Sequence, residues 1–423
     1  MRISMVGLLA VGLLFCGSAT LAQTGSDQVL YSLRRSPLFD GQFGKLAEAQ
    51  AAIGAALVRC GKSSITVDGR FGKGTAKAVM ELVRCPEIAS QIPAGSPAYQ
   101  GAITQSVWRA VVPNSAMPST EERAQTLVLT YENTDYDQLE WNFCQTRPLW
   151  SPHNPSMPCF TNDPGSYITW GPRGATAGGG KEVQWILWRV DQRDPSVIDS
   201  IFGSDAPVLR QFISLNKPSA KHLLCSIYAD DSRRASWTRS FKELGKSALV
   251  RATYDRHYLS QASDGSKMAT FYKLYEKLEV KPTEVDYAFL LDRATHSSPP
   301  KDLNSAVQKI QAWLKEKGVS GTPSNVRRAY AAEFPTPNQT KDRLGRDVAF
   351  FIDAVGEASL TQLERQAWRE KGQLSAANVG LSDERDAPAL KYVSDTLGPE
   401  FGVSLNPAPA CPQSVQNPRP PIR

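Results

Sequence analysis

The sequence predicts a mainly α-helical protein with a small helical N-terminal domain and a larger α+β domain that carries a small β-sheet. Apolar residues recur at helical spacing over residues 46–57, and again over 124–131 and 183–190. Between the last two, residues 167–180 read YITWGPRGATAGGG, which indicates short extended pieces joined by glycine turns. A chain of 423 residues has room for two or three domains.

The first 22 residues are typical of a secretory signal peptide. Arg2 supplies the charged start, residues 5–15 are an apolar core too short to span a bilayer, and Ala22 is a small residue at a plausible cleavage point. A lipid anchor at Cys16 is the rival interpretation, which the bulky Phe15 disfavours. We therefore expect an exported protein, periplasmic or secreted, with no integral membrane segment.

Cysteine usage agrees with export. Of seven cysteines, removal of Cys16 with the signal peptide leaves six, an even set that favours three disulfides. Pairing nearest neighbours predicts the following three bonds: Cys60–Cys85, Cys144–Cys159 and Cys225–Cys411. The four histidines are scattered and no C-x-x-C pair occurs, so we expect no metal and no cofactor.

Residues 43–90 form the predicted N-terminal domain. Its second half reads ITVDGRFGKGTAKAVMEL, in which Asp68-Gly69 marks a turn and Thr75 is a candidate helix cap. Cys60 and Cys85 flank this unit and can staple it.

This run resembles the peptidoglycan-binding domain of many wall hydrolases, whose signature is V-D-G-x-[FY]-G-x-x-T-x-x-A-V. The positions that match are Val67, Asp68, Gly69, Phe71, Gly72, Thr75, Ala78 and Val79. The resemblance implies a peptidoglycan partner or a related amino-sugar polymer. The alternative is that the motif is only the turn-and-cap pattern of a small helical unit.

A polar linker is predicted over residues 91–118, then a second domain over 119–397 and a proline-rich tail over 398–423. The net charge of +6 is mild and fits an anionic polymer better than a cationic one. We expect no nucleic-acid partner, and the sequence indicates no oligomeric state.

Glu132 is the candidate general acid. Ser119 and Glu122 form a possible capping box that begins a helix, and the helix is predicted to end near Asn133. The negative end of the helix dipole disfavours a carboxylate, so we expect the pKa of Glu132 to be raised.

The segments that follow resemble the lysozyme-like superfamily, and in particular the family-46 glycoside hydrolases, the chitosanases. The family run T-x-G-x-x-G-x-T-[AS]-G-x-G is matched at Thr169, Gly171, Gly174, Thr176, Ala177, Gly178 and Gly180. YAFLLDRATH (residues 287–296) resembles a helix of the second lobe. A two-lobed domain is therefore expected.

The phage-lysozyme pattern D-x5-T-x-G also fits at Asp163, Thr169 and Gly171. By this resemblance Glu132 is the proton donor, Asp163 the base that activates water, and Thr169 the residue that orients that water. One carboxyl group must be protonated and the other ionised. Asp135 and Asp137 are alternative bases. The resemblance also places five residues at the substrate: Asn133, Tyr167, Gly171, Thr176 and Lys181.

Two departures from the family bear on the substrate. The usual Arg between Asp163 and Thr169 is missing, and Lys181 stands where the family has an acidic residue, with Glu182 next to it. A lysine would repel cationic chitosan, so we expect cleavage of β-1,4 linkages in peptidoglycan. Chitosan hydrolysis, and a non-catalytic wall-binding or scaffold protein on a hydrolase-like fold, remain as alternatives.

Other interpretations of the glycine-rich stretch are weaker. A P-loop needs Ser or Thr after Gly-Lys, where Glu182 stands, and no βαβ unit follows for a dinucleotide fingerprint. Trp170, Trp185 and Trp188 are expected in the core, and His257 and His296 are expected to be packing or surface residues.

Overall fold

The structure, a computed structural model, describes residues 27–34, 36, 38–40, 45–132, 135–141, 167–177, 180–259, 267–335, 341–390 and 399–406. Of these residues 62% are helical and 7% lie in strands or bridges, which confirms the predicted mainly α class. Within these ranges, no helix is both long enough and apolar enough to cross a membrane.

The N-terminal part is a small unit of short strands and helices. In chain order its elements are β1 (Val29–Tyr31), β2 (Leu38–Asp40), α1 (Leu46–Arg59), β3 (Arg70–Gly72), α2 (Lys73–Leu82), α3 (Pro86–Ala89), a 3-10 helix (Pro97–Gln100), β4 (Ile103–Thr104) and α4 (Gln105–Val111). The strands form two antiparallel pairs, β1 with β4 and β2 with β3.

The unit is larger than predicted, because the predicted linker at 91–118 is largely folded. Strand β1, which precedes the predicted domain, pairs with β4 through Val29 and Thr104. Val107 and Trp108 of α4 are buried in the same core as α1 and α2. Strands of two or three residues are too short to show an alternating pattern in the sequence. They form because they pair with strands that are distant in the chain.

Gln50, on α1, holds the turn that precedes α2. Its side-chain amide donates to the carboxylate of Asp68 and to the carbonyl of Arg70, both at 2.9 Å, and to the hydroxyl of Thr75 at 3.1 Å. Its oxygen accepts from the backbone N–H groups of Asp68 and Gly69. Thr75 is not the helix cap that the sequence suggested, because α2 begins at Lys73, two residues earlier.

Two further residues of the V-D-G-x-F-G run, Phe71 and Gly72, also have roles in the fold. Phe71 is buried and stacks on Phe39 at 5.4 Å between ring centroids, and Gly72 pairs across the strands with Leu38. The predicted disulfide Cys60–Cys85 is present and joins the end of α1 to the start of α3.

The rest of the described chain is a helical assembly around one three-stranded sheet. Its elements are α5 (Thr120–Glu132), β5 (Leu139–Trp141), β6 (Ile168–Trp170), β7 (Ala175–Ala177), α6 (Glu182–Arg193), α7 (Pro195–Phe202), α8 (Ala206–Ser214), α9 (Lys217–Ala229), α10 (Asp231–Leu244), α11 (Ala248–Leu259), α12 (Lys267–Lys277), α13 (Glu284–His296), α14 (Leu303–Lys317), α15 (Pro323–Glu333), α16 (Lys341–Ala349), α17 (Ile352–Val355) and α18 (Gln362–Glu370). Strand β6 is central and antiparallel to both β5 and β7.

Helix α5 lies between the two largest apolar cores. One core joins the N-terminal unit with α5 and α12–α15, and the other joins the sheet with α6–α11. Leu127, Val128 and Tyr131 of α5 face the first core, whereas Leu129 belongs to the second. The predicted capping box is present, since Ser119 and Glu122 exchange hydrogen bonds of 2.8 and 3.2 Å. Helix α5 ends at Glu132, as predicted.

Two further contacts fix the ends of the described chain. Asn378 donates to the carbonyls of Ser32 and Leu33, which docks the segment after β1 onto the C-terminal region. In the predicted tail, Val403 pairs with Leu215, and Phe401 is buried. Cys225 also takes part in a disulfide; its predicted partner Cys411 and the predicted pair Cys144–Cys159 lie outside the described residues.

We expect Gln50→Leu to lower the free energy of unfolding by about 2–4 kcal/mol, because it leaves buried backbone groups of the turn without partners. Urea unfolding measures the change. The matched control is Gln91→Leu at an exposed glutamine, whose amide reaches only the Glu87 carbonyl; about 0.5 kcal/mol or less is expected there. Equal effects at the two positions would contradict the role given to Gln50.

Candidate functional site

A cleft of about 230 Å³ opens where the ends of α5 and α13 meet strands β5 and β6 and the β6–β7 turn. It is lined by Glu132, Gln138, Glu140, Thr169, Gly171, Pro172, Arg173, Gly174, Thr295 and His296. The structure thus brings the predicted residues Glu132, Thr169 and Gly171 to one cavity, although residues 132 and 169 are far apart in the chain.

Glu132 is held by a histidine and an arginine side chain. One of its carboxylate oxygens, Oε1, accepts from His296 Nε2 at 2.8 Å and from Arg346 Nη1 at 2.5 Å. Burial by itself raises the pKa of Glu132, but the hydrogen bond from His296 and the charge of Arg346 outweigh it and lower the pKa to about 2. The expected rise in pKa is therefore wrong, because the helix-end argument could not include cations supplied by distant helices.

Behind Glu132 lies a buried network of charges from α13 and α16. Arg343 bonds both Asp292 and Asp347, and Arg293 bonds Asp347 at 2.7 Å. Arg346 also donates to the carbonyl of Tyr131 at 3.0 Å, which fixes α16 to the end of α5. With Glu132 included, three carboxylates face three guanidinium groups, so the network is balanced in charge.

Glu132, Asp292 and His296 are the described side chains whose ligand atoms lie close enough together to hold a metal ion, all within 4.8 Å. However, Arg346 Nη1 lies 2.5 Å from the Glu132 oxygen, 3.0 Å from His296 Nε2 and 3.7 Å from Asp292 Oδ1. The guanidinium already provides the positive charge at this point, and a cation placed there would be repelled. We therefore interpret the cluster as an ion-pair network.

Thr169 lies at the middle of β6, opposite Glu140 of β5 and Thr176 of β7. Side chains directly opposite in antiparallel strands share one face of the sheet, and Thr169 and Glu140 both line the cleft. Glu140 is exposed and is the second carboxyl group of the cleft among the described residues. The sequence did not predict Glu140 as a site residue, because a single Glu next to a Trp belongs to no motif.

The predicted bases have different outcomes. Asp163 lies outside the described residues, as does the predicted substrate residue Asn133. The alternatives Asp135 and Asp137 are not among the residues that line the cleft. Asp135 accepts from the backbone N–H of Tyr136 at 2.6 Å, and Asp137 lies 4.0 Å from Lys242.

The glycine-rich stretch builds the tight β6–β7 turn at the wall of the cleft. Gly171 and Gly174 have positive φ angles of 75° and 61°. A Cβ atom at Gly171 would lie 2.7 Å from the ring of Tyr254. The Tyr254 hydroxyl donates to the carbonyl of Trp170 and accepts from the backbone N–H of Arg173, both at 3.0 Å. Glycine is needed here so that this ring can support the turn.

Three predicted substrate residues, Tyr167, Thr176 and Lys181, do not line the cleft. The Thr176 hydroxyl donates to Glu182 at 2.6 Å, and Lys181 pairs with Glu400 at 2.5 Å. The ring of Tyr167 lies under the ammonium of Lys221 at 5.3 Å. Lys181 therefore gives no reason for the cleft to reject a cationic polymer.

Of the three tryptophans expected in the core, Trp170 lies there, whereas Trp185 and Trp188 are only partly buried at its edge. Trp170 is fully buried against Tyr254 and Phe241, and His257 is buried. His296, in contrast, lines the cleft and bonds Glu132. Its position as the last residue of α13 was the only signal that the sequence offered.

We expect Glu132→Gln to lower the free energy of unfolding at pH 7 by about 2–3 kcal/mol. The lowered pKa of Glu132 means that its ionised form is more stable in the folded protein than in the unfolded chain, and the variant loses this contribution. A carboxyl group with a lowered folded pKa stabilises above its unfolded pKa, and this contribution is lost as the pH falls through the folded value. The difference in the free energy of unfolding between wild type and variant should therefore shrink as the pH falls from about 4.5 towards 2.

Urea unfolding at a series of pH values measures this difference. The matched control is Glu316→Gln, at an exposed carboxylate whose partner is the adjacent Lys317; no pH-dependent difference is expected for it. A Glu132→Gln difference that stays constant down to pH 2.5 would show that Glu132 is not ionised by its partners.

Comparison with known proteins identified no relative of this chain. No family model matches the chain, and no curated protein or solved structure does so significantly.

Proposed function

We propose that the protein is an exported glycan hydrolase that cleaves β-1,4 linkages between amino sugars of peptidoglycan. The observation that carries the proposal is the meeting of Glu132, at the end of α5, with Thr169, on the central strand, in one open cleft. A carboxyl group at a helix end facing a small sheet is the arrangement expected of a lysozyme-like, two-lobed domain.

Glycoside cleavage needs a proton donor at the leaving oxygen and a carboxylate on the other side of the sugar. In the proposal Asp163 is the base, and the Thr169 hydroxyl orients the attacking water. Glu140, opposite Thr169, is a described carboxylate on the same wall and an alternative base. An inverting reaction requires a separation of roughly 6.5–9.5 Å between the acid and the base.

The substrate class follows from the cleft and from the N-terminal unit. Arg173 lines the cleft and adds positive charge, which favours a polymer that carries carboxylates over polycationic chitosan. The resemblance of residues 67–79 to a wall-binding motif supports the same choice. Chitosan remains the alternative substrate, since Glu140 could also receive an ammonium group.

The wild-type full chain should release reducing ends from purified sacculi, and more slowly or not at all from chitosan. Glu132→Gln should lower this rate by at least about 100-fold, and Thr169→Ala by about 10-fold or more, since both act at the reacting centre. Glu316→Gln, at an exposed site on α14, is the control and should retain full activity. Absence of turnover by the wild type on both polymers would refute the hydrolase proposal.

A second candidate function is a non-catalytic wall-binding or scaffold protein. It is favoured by the hydrogen bond from His296 and the ion pair with Arg346, which hold Glu132 ionised. In that case sacculi should sediment with the full chain while no products appear, and failure to bind sacculi would exclude it.

A further inference from the structure

We propose that His296 and Glu132 form a proton-transfer dyad, in which Glu132 holds Nε2–H of the imidazole and Nδ1 exchanges the proton of the cleaved glycosidic bond. The inference rests on the proposed hydrolase function and changes which side chain touches the leaving oxygen. It assigns His296 as a catalytic residue and Glu132 as its positioning residue.

The first support is position. His296 ends α13 and lines the cleft beside Thr295. Its side chain is 30% exposed, whereas that of Glu132 is 19% exposed, so the imidazole is the more accessible of the two groups. Its two close polar contacts within the described residues, with Glu132 and Arg346, are made through Nε2 and not through Nδ1.

The second support is the hydrogen-bond pattern at Nε2. Arg346 can only donate, and an ionised carboxylate can only accept. If Nε2 carried a lone pair, it would face the Glu132 oxygen at 2.8 Å as a second acceptor. An N–H at Nε2 would in turn face the donor Arg346 Nη1 at 3.0 Å, so either form of Nε2 makes one of its two contacts unfavourable. We assign the proton to Nε2 because the Glu132 contact is the shorter one and Arg346 Nη1 has the same Glu132 oxygen as its acceptor, which leaves the lone pair of the neutral ring on Nδ1.

The third support is the charge around the ring. Facing His296 are Glu132 from α5, Asp292 from its own helix and Arg346 from α16, and the charged residues Glu140 and Arg173 also line the cleft. Asp292 Oδ1 lies 3.8 Å from Nε2 and is buried without a hydrogen-bond partner in the described structure. This carboxylate can stabilise the imidazolium without taking its proton, and so offsets the repulsion from Arg346.

The dyad also provides a proton donor where Glu132 itself, being ionised, cannot act as the acid. A carboxyl group whose pKa is about 2 holds almost no proton at neutral pH. The protonated imidazole has an N–H at each ring nitrogen, so Nδ1–H can supply the proton of the acid step while Nε2–H stays on Glu132. A carboxylate that orients an imidazole and stabilises its charged form is an established division of roles.

The step balances as follows. Nδ1–H of the imidazolium gives its proton to the glycosidic oxygen as the bond from that oxygen to the anomeric carbon breaks. The electron pair of the bond stays on the oxygen, which becomes a hydroxyl of the leaving sugar. Water forms the new bond to the anomeric carbon and gives its proton to the base carboxylate. Solvent then returns a proton to His296 and accepts the one held by the base.

The test is the pH profile of reducing-end release from sacculi. Wild type should lose activity on the alkaline side as His296 loses its proton. His296→Gln can still donate to Glu132 but cannot titrate, so kcat should fall about 10²–10³-fold with little change in KM, and the alkaline limb should vanish. Added imidazole should partly restore His296→Ala. The control, His222→Gln on α9, should keep the wild-type profile.

Retention of wild-type kcat and of the alkaline limb by His296→Gln would overturn the proposal. If wild type cleaves neither sacculi nor chitosan, the hydrolase function fails, and the dyad is then judged separately by the ¹⁵N shifts of the His296 ring in the full chain at high pH. A ring with its proton on Nε2 supports the dyad, and a proton on Nδ1 contradicts it.

Discussion

The ion pair between Glu132 and Arg346 is the interaction on which the candidate site depends. It joins the end of α5 to α16, and Arg346 reaches the Tyr131 carbonyl through its other nitrogen. Removing one partner of such a largely buried pair leaves an uncompensated charge and destabilises the fold. Because Asp292 and Asp347 bind further arginines of the same network, α13 is held to α16 by the same balance of charge. The network therefore sets the shape of the cleft and the protonation of the carboxylate at its edge.

The opposite wall is held by different forces. Strand β6 lies between β5 and β7, and the buried Tyr254 supports the turn that follows it. Here apolar packing and backbone hydrogen bonds, rather than ion pairs, place Thr169. One wall of the cleft is thus a charged network that can respond to protonation, and the other is the face of a small sheet that carries Thr169 on its central strand. This asymmetry suits a reaction in which a proton moves on one side of a sugar that is held in place from the other.

Local patterns predicted well wherever neighbouring residues decide the structure. The capping box at Ser119 and Glu122, the end of α5 at Glu132 and the Cys60–Cys85 bond all follow from short-range geometry. The protonation of Glu132 could not be predicted, because His296 and Arg346 reach it from more than 160 positions away in the chain. The folding of the predicted linker was missed for a similar reason, since β4 is a strand only through its pairing with β1.

The sequence by itself determined the mainly helical class, the apolar faces of α1, α5 and α6, and the glycine turn beside Thr169. These depend on periodicity and on backbone conformations that individual residues permit. Only the tertiary structure decided which groups surround Glu132, that Lys181 pairs with Glu400 away from the cleft, and that His296 enters it. The physical reason is that a side chain's charge state and reach depend on neighbours brought together by packing, and no local pattern specifies those neighbours.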